Sequence, residues 1–182
     1  VCLIVVGIAI GQSNDWWGIT DWISGHTPDQ WHFAASADEK AGADGGAILA
    51  AAQKYDNERY VWGGGHPPTS FKPGSGVDCS GLVDLAVYEA TRVNENNTAK
   101  SFRNSSHWKE VPFAEATAGD IMYRLKKRSD EVDHVVIVVS NDGDGKLSIF
   151  EAATNKGPVK LQVRQRDGVH YSEFDATLRF KK

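Results

Sequence analysis

Cysteine is scarce in this sequence: two occur, Cys2 and Cys79. They form no CxxC pair, which excludes thiolate zinc binding and thioredoxin-like redox chemistry. A Cys2–Cys79 bridge is disfavoured, because Cys2 lies in a terminal apolar run. A chain of 182 residues needs no such staple, since it buries roughly two-thirds of its unfolded surface on folding. Basic runs are equally rare. Lys126-Lys127-Arg128 is too short for a nucleic-acid footprint, and the net charge of −4 argues the same way. No phosphate-binding glycine loop appears, and no cluster of metal ligands. His26 and His32 are loosely spaced and read as surface residues. No metal or cofactor is implied. What is present, 41% hydrophobic and 24% charged residues, is the balance of one globular domain with an extension.

The start of the chain is apolar from Val1 to Ile10. That is too short to span a bilayer, which takes about 20 residues, and it lacks the basic region and cleavage site of a signal peptide. It reads as the tail of a membrane anchor or signal segment, or as a buried terminal strand. The first is preferred because residues 11–46 look like a linker. They are rich in Gly, Ser, Asp and aromatics, with Trp16, Trp17, Trp22 and Trp31 close together and no sustained period. The expected organisation is an extension over residues 1–44, anchoring the protein outside the cytoplasmic membrane, and a folded domain over 45–182.

Ala47–Tyr55 is alanine-rich and predicts a helix. A second helix follows Asp78, a plausible N-cap: Leu82, Val83, Ala86, Val87, Ala90 and Val93 share one face, and Asp84 and Glu89 fall elsewhere. Residues 91–118 are polar and irregular. Strands are expected at 120–125, 134–139, 147–152, 159–166 and 177–180, separated by turn signals such as Asn141-Asp142-Gly143. Helices first and strands afterwards imply an α+β fold with an antiparallel sheet packed on the helices.

Cys79 falls in the first turn of the second predicted helix, where the helix dipole favours a thiolate. Gly81 leaves room near the sulfur, and the first-turn amides are suited to hold an oxyanion. A lone helix cysteine is ordinarily a small buried hydrophobe; the surrounding residues argue otherwise. Tyr60-Val61-Trp62-Gly63-Gly64, Asp78-Cys79-Ser80-Gly81-Leu82-Val83, Ala118-Gly119-Asp120-Ile121 and His134-Val135-Val136-Ile137-Val138 occur in that order. Together they resemble the signature of the NlpC/P60 cysteine peptidases, over about residues 45–180.

The resemblance implies a papain-like α+β domain, with Cys79 as nucleophile on a helix and His134 as its base on the sheet. The family usually places a polar residue, often His, on the strand after the base. Here alignment puts Glu151 at that orienting position, with Asn155 as the fallback. Tyr60 resembles the family's cleft aromatic and stands equally as a core or turn tyrosine. Asp78 and Ser80 are expected to support the substrate site, with the Asp78 carboxylate turned to backbone amides. His66, in the loop before Cys79, reads as a solvent-exposed loop residue, with a place lining the cleft as the alternative. The implied substrate is the peptidoglycan stem peptide, cut between γ-D-Glu and a diamino acid. Two alternatives stand beside this: a CHAP-type amidase or endopeptidase, which a Glu orienter suits better, and a non-catalytic wall-binding module, against which the presence of both Cys79 and His134 argues.

Overall fold

The computed structural model describes residues 44–127, 133–153 and 162–181. Apart from Asp44, the expected extension over 1–44 lies outside the described residues, as do Asn155 and the start of the strand expected at 159. Two helices, α1 (Gly45–Gln53) and α2 (Cys79–Thr91), precede six strands. The strands are β1 (Trp108–Val111), β2 (Ile121–Arg124), β3 (His134–Asn141), β4 (Lys146–Ala153), β5 (Gln162–His170) and β6 (Ala176–Phe180). They form one antiparallel sheet in the order β1-β6-β2-β3-β4-β5. The α+β expectation therefore holds, with both helices N-terminal to the sheet they pack on.

Strand β3 shows why the sequence carries so apolar a run there. Val135 and Ile137 join the core formed with α1 and α2. Val136 and Val138 join a second cluster with Met122, Leu147, Ile149 and Phe174. Successive side chains alternate across a sheet, so a strand buried on both faces must be apolar at every position.

Two expectations change. Residues 108–111 were read as irregular, yet they form β1, an edge strand paired with β6. Lys109 and Glu110 on it are exposed, which hides the strand period in a four-residue run. Helix α2 is also not amphipathic along its first half. Cys79 through Val87 are all buried, Asp84 included at 0% exposure. This half of the helix is wrapped on every side, by the sheet, by α1 and by the loop that precedes it. Burying Leu82, Val83 and Val87 stabilises the domain by about 1.5–3 kcal/mol each.

The loop from Tyr60 to Val77 lies directly on the first turn of α2. A Cβ on Gly81 would stand 2.0 Å from the Gly64 carbonyl oxygen, and one on Gly65 would stand 2.7 Å from the Gly81 Cα. The space at Gly81 thus admits the Gly64 carbonyl rather than serving the sulfur. Gly81→Ala is expected to destabilise the protein by about 3 kcal/mol, a drop of roughly 6–12 °C in melting temperature. A thermal melt followed by circular dichroism checks this; an unchanged midpoint would contradict the close approach.

Candidate active site

Asp78 begins the site. Its backbone is extended (φ −99°, ψ −176°) and its carboxylate caps α2. Oδ1 accepts the Gly81 N–H at 2.8 Å and the Ser80 hydroxyl at 2.9 Å. Oδ2 accepts the Gly63 N–H at 2.9 Å. One side chain therefore ties the helix start to the glycine loop and satisfies helix donors that have no partner of their own. Burial opposes the Asp78 charge. Bonds from His66, Gly81, Ser80 and Gly63 outweigh it and hold the carboxyl below its ordinary range.

Cys79 is the first residue of α2 and is 7% exposed. His134 opens β3, near enough to Cys79 for the sulfur to favour a charge on its imidazole. Its Nε2 lies 3.0 Å from Glu151 Oε2, so Nδ1 is the nitrogen left for the sulfur. Burial works against a charge on His134, but the bonds to Cys79 and Glu151 prevail and raise its pKa from 6.5 to about 9.

Glu151 projects from β4 and is 2% exposed. It faces Arg164 across the β4–β5 register. Arg164 and Arg166 stand on the same side of β5 and bring guanidinium nitrogens to 3.8 Å and 3.6 Å from Oε1. Burial alone would raise the Glu151 carboxyl; His134 and the two arginines lower it instead. A buried carboxylate with three cationic neighbours stays ionised at neutral pH.

The structure thus brings Cys79, His134 and Glu151 together, with His134 and Glu151 in direct contact. The other expected residues fall around it. Asp78 and Ser80 line a cavity of about 460 Å3 beside Cys79, although their polar atoms are engaged internally. Tyr60 is half-buried and pairs with Val77 through its backbone. Burial and the neighbouring Cys79 and Asp78 raise its phenol above the ordinary range, and it is not among the residues lining that cavity. Across the cavity stand Thr98, Ala99 and Lys100, with Lys126 and Asp133 closing it. Trp62 sits at its edge, 72% exposed.

His66 departs most from expectation. It is not a solvent-exposed loop residue but lines the cavity with its side chain only 20% exposed. Nδ1 lies 2.9 Å from Asp84 Oδ2, and Nε2 lies 3.1 Å from Ser80 Oγ. Nothing local in the sequence pairs the two; the loop laid on Gly81 brings them together.

A buried thiol at a helix start, an imidazole against it and a carboxylate behind the imidazole have the chemical form of an activated nucleophile with its base and orienting acid. Residues 57–176 match the NlpC/P60 family, and the chain belongs to that family. It is 33% identical over 95 residues to the "Bifunctional muramidase/DL-endopeptidase CwlT" of Bacillus subtilis (strain 168). The match covers 52% of this chain and 26% of that protein, so the chain spans about a quarter of that relative's length. The fold is similar to the NlpC/p60 domain of the peptidoglycan hydrolase SagA, at 26% identity and a TM-score of 0.52, covering 75% of this chain and 98% of that one. It is also similar to NlpC1 from Trichomonas vaginalis, at 21% identity and a TM-score of 0.53, covering 76% and 45% of the two chains. That last likeness is one of fold.

Proposed function

We propose that residues 45–182 form the catalytic domain of a cysteine peptidase that hydrolyses stem-peptide amides of peptidoglycan, at the bond between γ-D-Glu and a diamino acid, outside the cytoplasmic membrane. The observation that carries this reading is His134, whose charge Cys79 favours and whose ring buried Glu151 holds at 3.0 Å. Family membership and the likeness to a DL-endopeptidase supply the substrate class. The cavity suits it: Lys100 and Lys126 offer cations to the carboxylates of an acidic peptide, and Trp62 offers an apolar face.

In this mechanism the Cys79 thiolate attacks the scissile carbonyl carbon. The oxyanion forms at the tip of α2. Asp78 occupies the Gly81 N–H, which leaves the Cys79 and Ser80 amides to receive it. Imidazolium His134 gives its proton to the leaving amine as the C–N bond breaks, leaving a thioester on Cys79. Water, deprotonated by His134, then releases the carboxylic acid and restores the thiol.

Mass spectrometry of digests of purified peptidoglycan and of soluble L-Ala-γ-D-Glu-diaminopimelate tests the reading. Wild type is expected to release L-Ala-γ-D-Glu, and Cys79→Ala to release none. A cut at the sugar–Ala or cross-bridge amide would assign CHAP-type chemistry instead. No Cys79-dependent product from either substrate would leave a wall-binding module.

A further inference from the structure

His66 belongs to neither the thiol, its base nor the acid behind it, yet it sits at the centre of the hydrogen bonds around them. Its protonation follows from the donors and acceptors it meets. The single Ser80 hydroxyl proton goes to Asp78 Oδ1 at 2.9 Å. Ser80 Oγ must then accept from His66 Nε2 at 3.1 Å, which makes that nitrogen a donor. On the other side, Asp84 Oδ2 already accepts the Asn97 N–H at 2.7 Å. Its contact with His66 Nδ1 at 2.9 Å makes that nitrogen a donor too. A ring donating from both nitrogens is an imidazolium.

We infer that His66 is a positioning residue for the reaction: as an imidazolium on Asp84, it holds the Asp78–Ser80 cap under Cys79 and, through Asp84, the Asn97–Lys100 wall of the cleft. Asp84 is wholly buried on α2 and Asp78 is 7% exposed. Without a cation between them, two carboxylates would lie within the first turns of the nucleophile's helix. Like charges there disfavour a thiolate. His66 neutralises one of them and fixes the direction of the other. The wall follows the same device, because the Asn97 amide is anchored on Asp84 and the adjoining Thr98, Ala99 and Lys100 line the cavity.

The charges that act on His66 are those of Asp78 and Asp84; Lys100, Lys126 and Asp133 line the same cavity, and Glu95 acts on Asp84. The bonds to Asp78 and Asp84 raise the His66 pKa from 6.5 to about 9. Burial raises Asp84 to about 6 despite His66. Between those values the pair is ionised.

This inference rests on Cys79 being the nucleophile, and its test needs no peptide substrate. Side-chain 15N–1H correlation NMR at pH 8, with the His66 signals assigned from His66→Gln, is expected to show both ring nitrogens protonated. Asp84→Asn, which removes one of the two carboxylates that raise the ring's pKa, is expected to lower the doubly protonated fraction at pH 8. Iodoacetamide labelling of Cys79 at pH 7 is expected to slow about tenfold in His66→Gln, which leaves both carboxylates uncompensated, and less in Asp84→Asn, which removes one of them. The double variant is expected to label faster than His66→Gln, because the uncompensated carboxylate is gone. A neutral His66 at pH 8, or variants that melt earlier with unchanged labelling rates, would overturn the inference. A wild-type thiol that labels slowly at pH 7 would instead remove the nucleophile reading. If His66→Gln does not fold, Asp84→Asn carries the same labelling comparison.

Discussion

His134→Ala is expected to lower kcat on the stem peptide by about 10^2–10^4-fold, the usual contribution of a positioned acid–base group. The loss is large because the proposed mechanism uses His134 twice. It keeps the proton taken from Cys79, and it must deliver that proton to the leaving amine. Its place comes from a backbone that cannot readily substitute another group: it is the first residue of β3, paired with Arg124 of β2. Iodoacetamide labelling at pH 7 is expected to slow in parallel, since the imidazolium beside the sulfur is gone. Retained labelling with lost turnover would mean that His134 acts only on the leaving group. Retained turnover would remove the acid–base assignment altogether. Activity is also expected to decline as the pH rises through about 9, where His134 loses its proton.

How much of this was legible beforehand follows from which residues act locally. The helix start at Asp78 was legible, because an N-cap works through neighbouring amides; Asp78 accepts from Gly81 three positions on. The central strands were legible because burial on both faces leaves a valine run in β3. Strand β1 was not, since its pairing depends on β6, far along the chain, and its own residues are half polar. His66 and Asp84 were missed for a related reason. Each is ordinary in its local setting, a histidine in a loop and an acid on a helix. They become informative only when the Gly64–Gly65 loop is laid on Gly81, which brings the two side chains together. The glycines of the Tyr60–Gly64 and Asp78–Val83 motifs belong to that same contact: they let two backbones touch, and the charges follow.

Glu151→Gln is the second large effect, and its pH dependence separates it from simple damage. A glutamine keeps the shape and still accepts from Nε2, but it cannot balance an imidazolium. It also leaves Arg164 and Arg166 facing a neutral amide. kcat is expected to fall about 10^2-fold. The signs of the stability terms are set by linkage. The Glu151 carboxyl is lowered on folding, so its contribution is present above its unfolded value of 4.5 and is lost as the pH falls through the lower folded value. His134 is raised from 6.5 to about 9, so its contribution is complete below 6.5 and is lost as the pH rises through about 9. Both are present together between 4.5 and 6.5. The melting-temperature gap between wild type and Glu151→Gln is therefore expected to be widest there and to narrow toward pH 9 and toward strong acid. A gap that stays constant through pH 9 would show that the carboxylate stabilises the arginines of β5 rather than the imidazolium, and would leave His134 without an orienting acid.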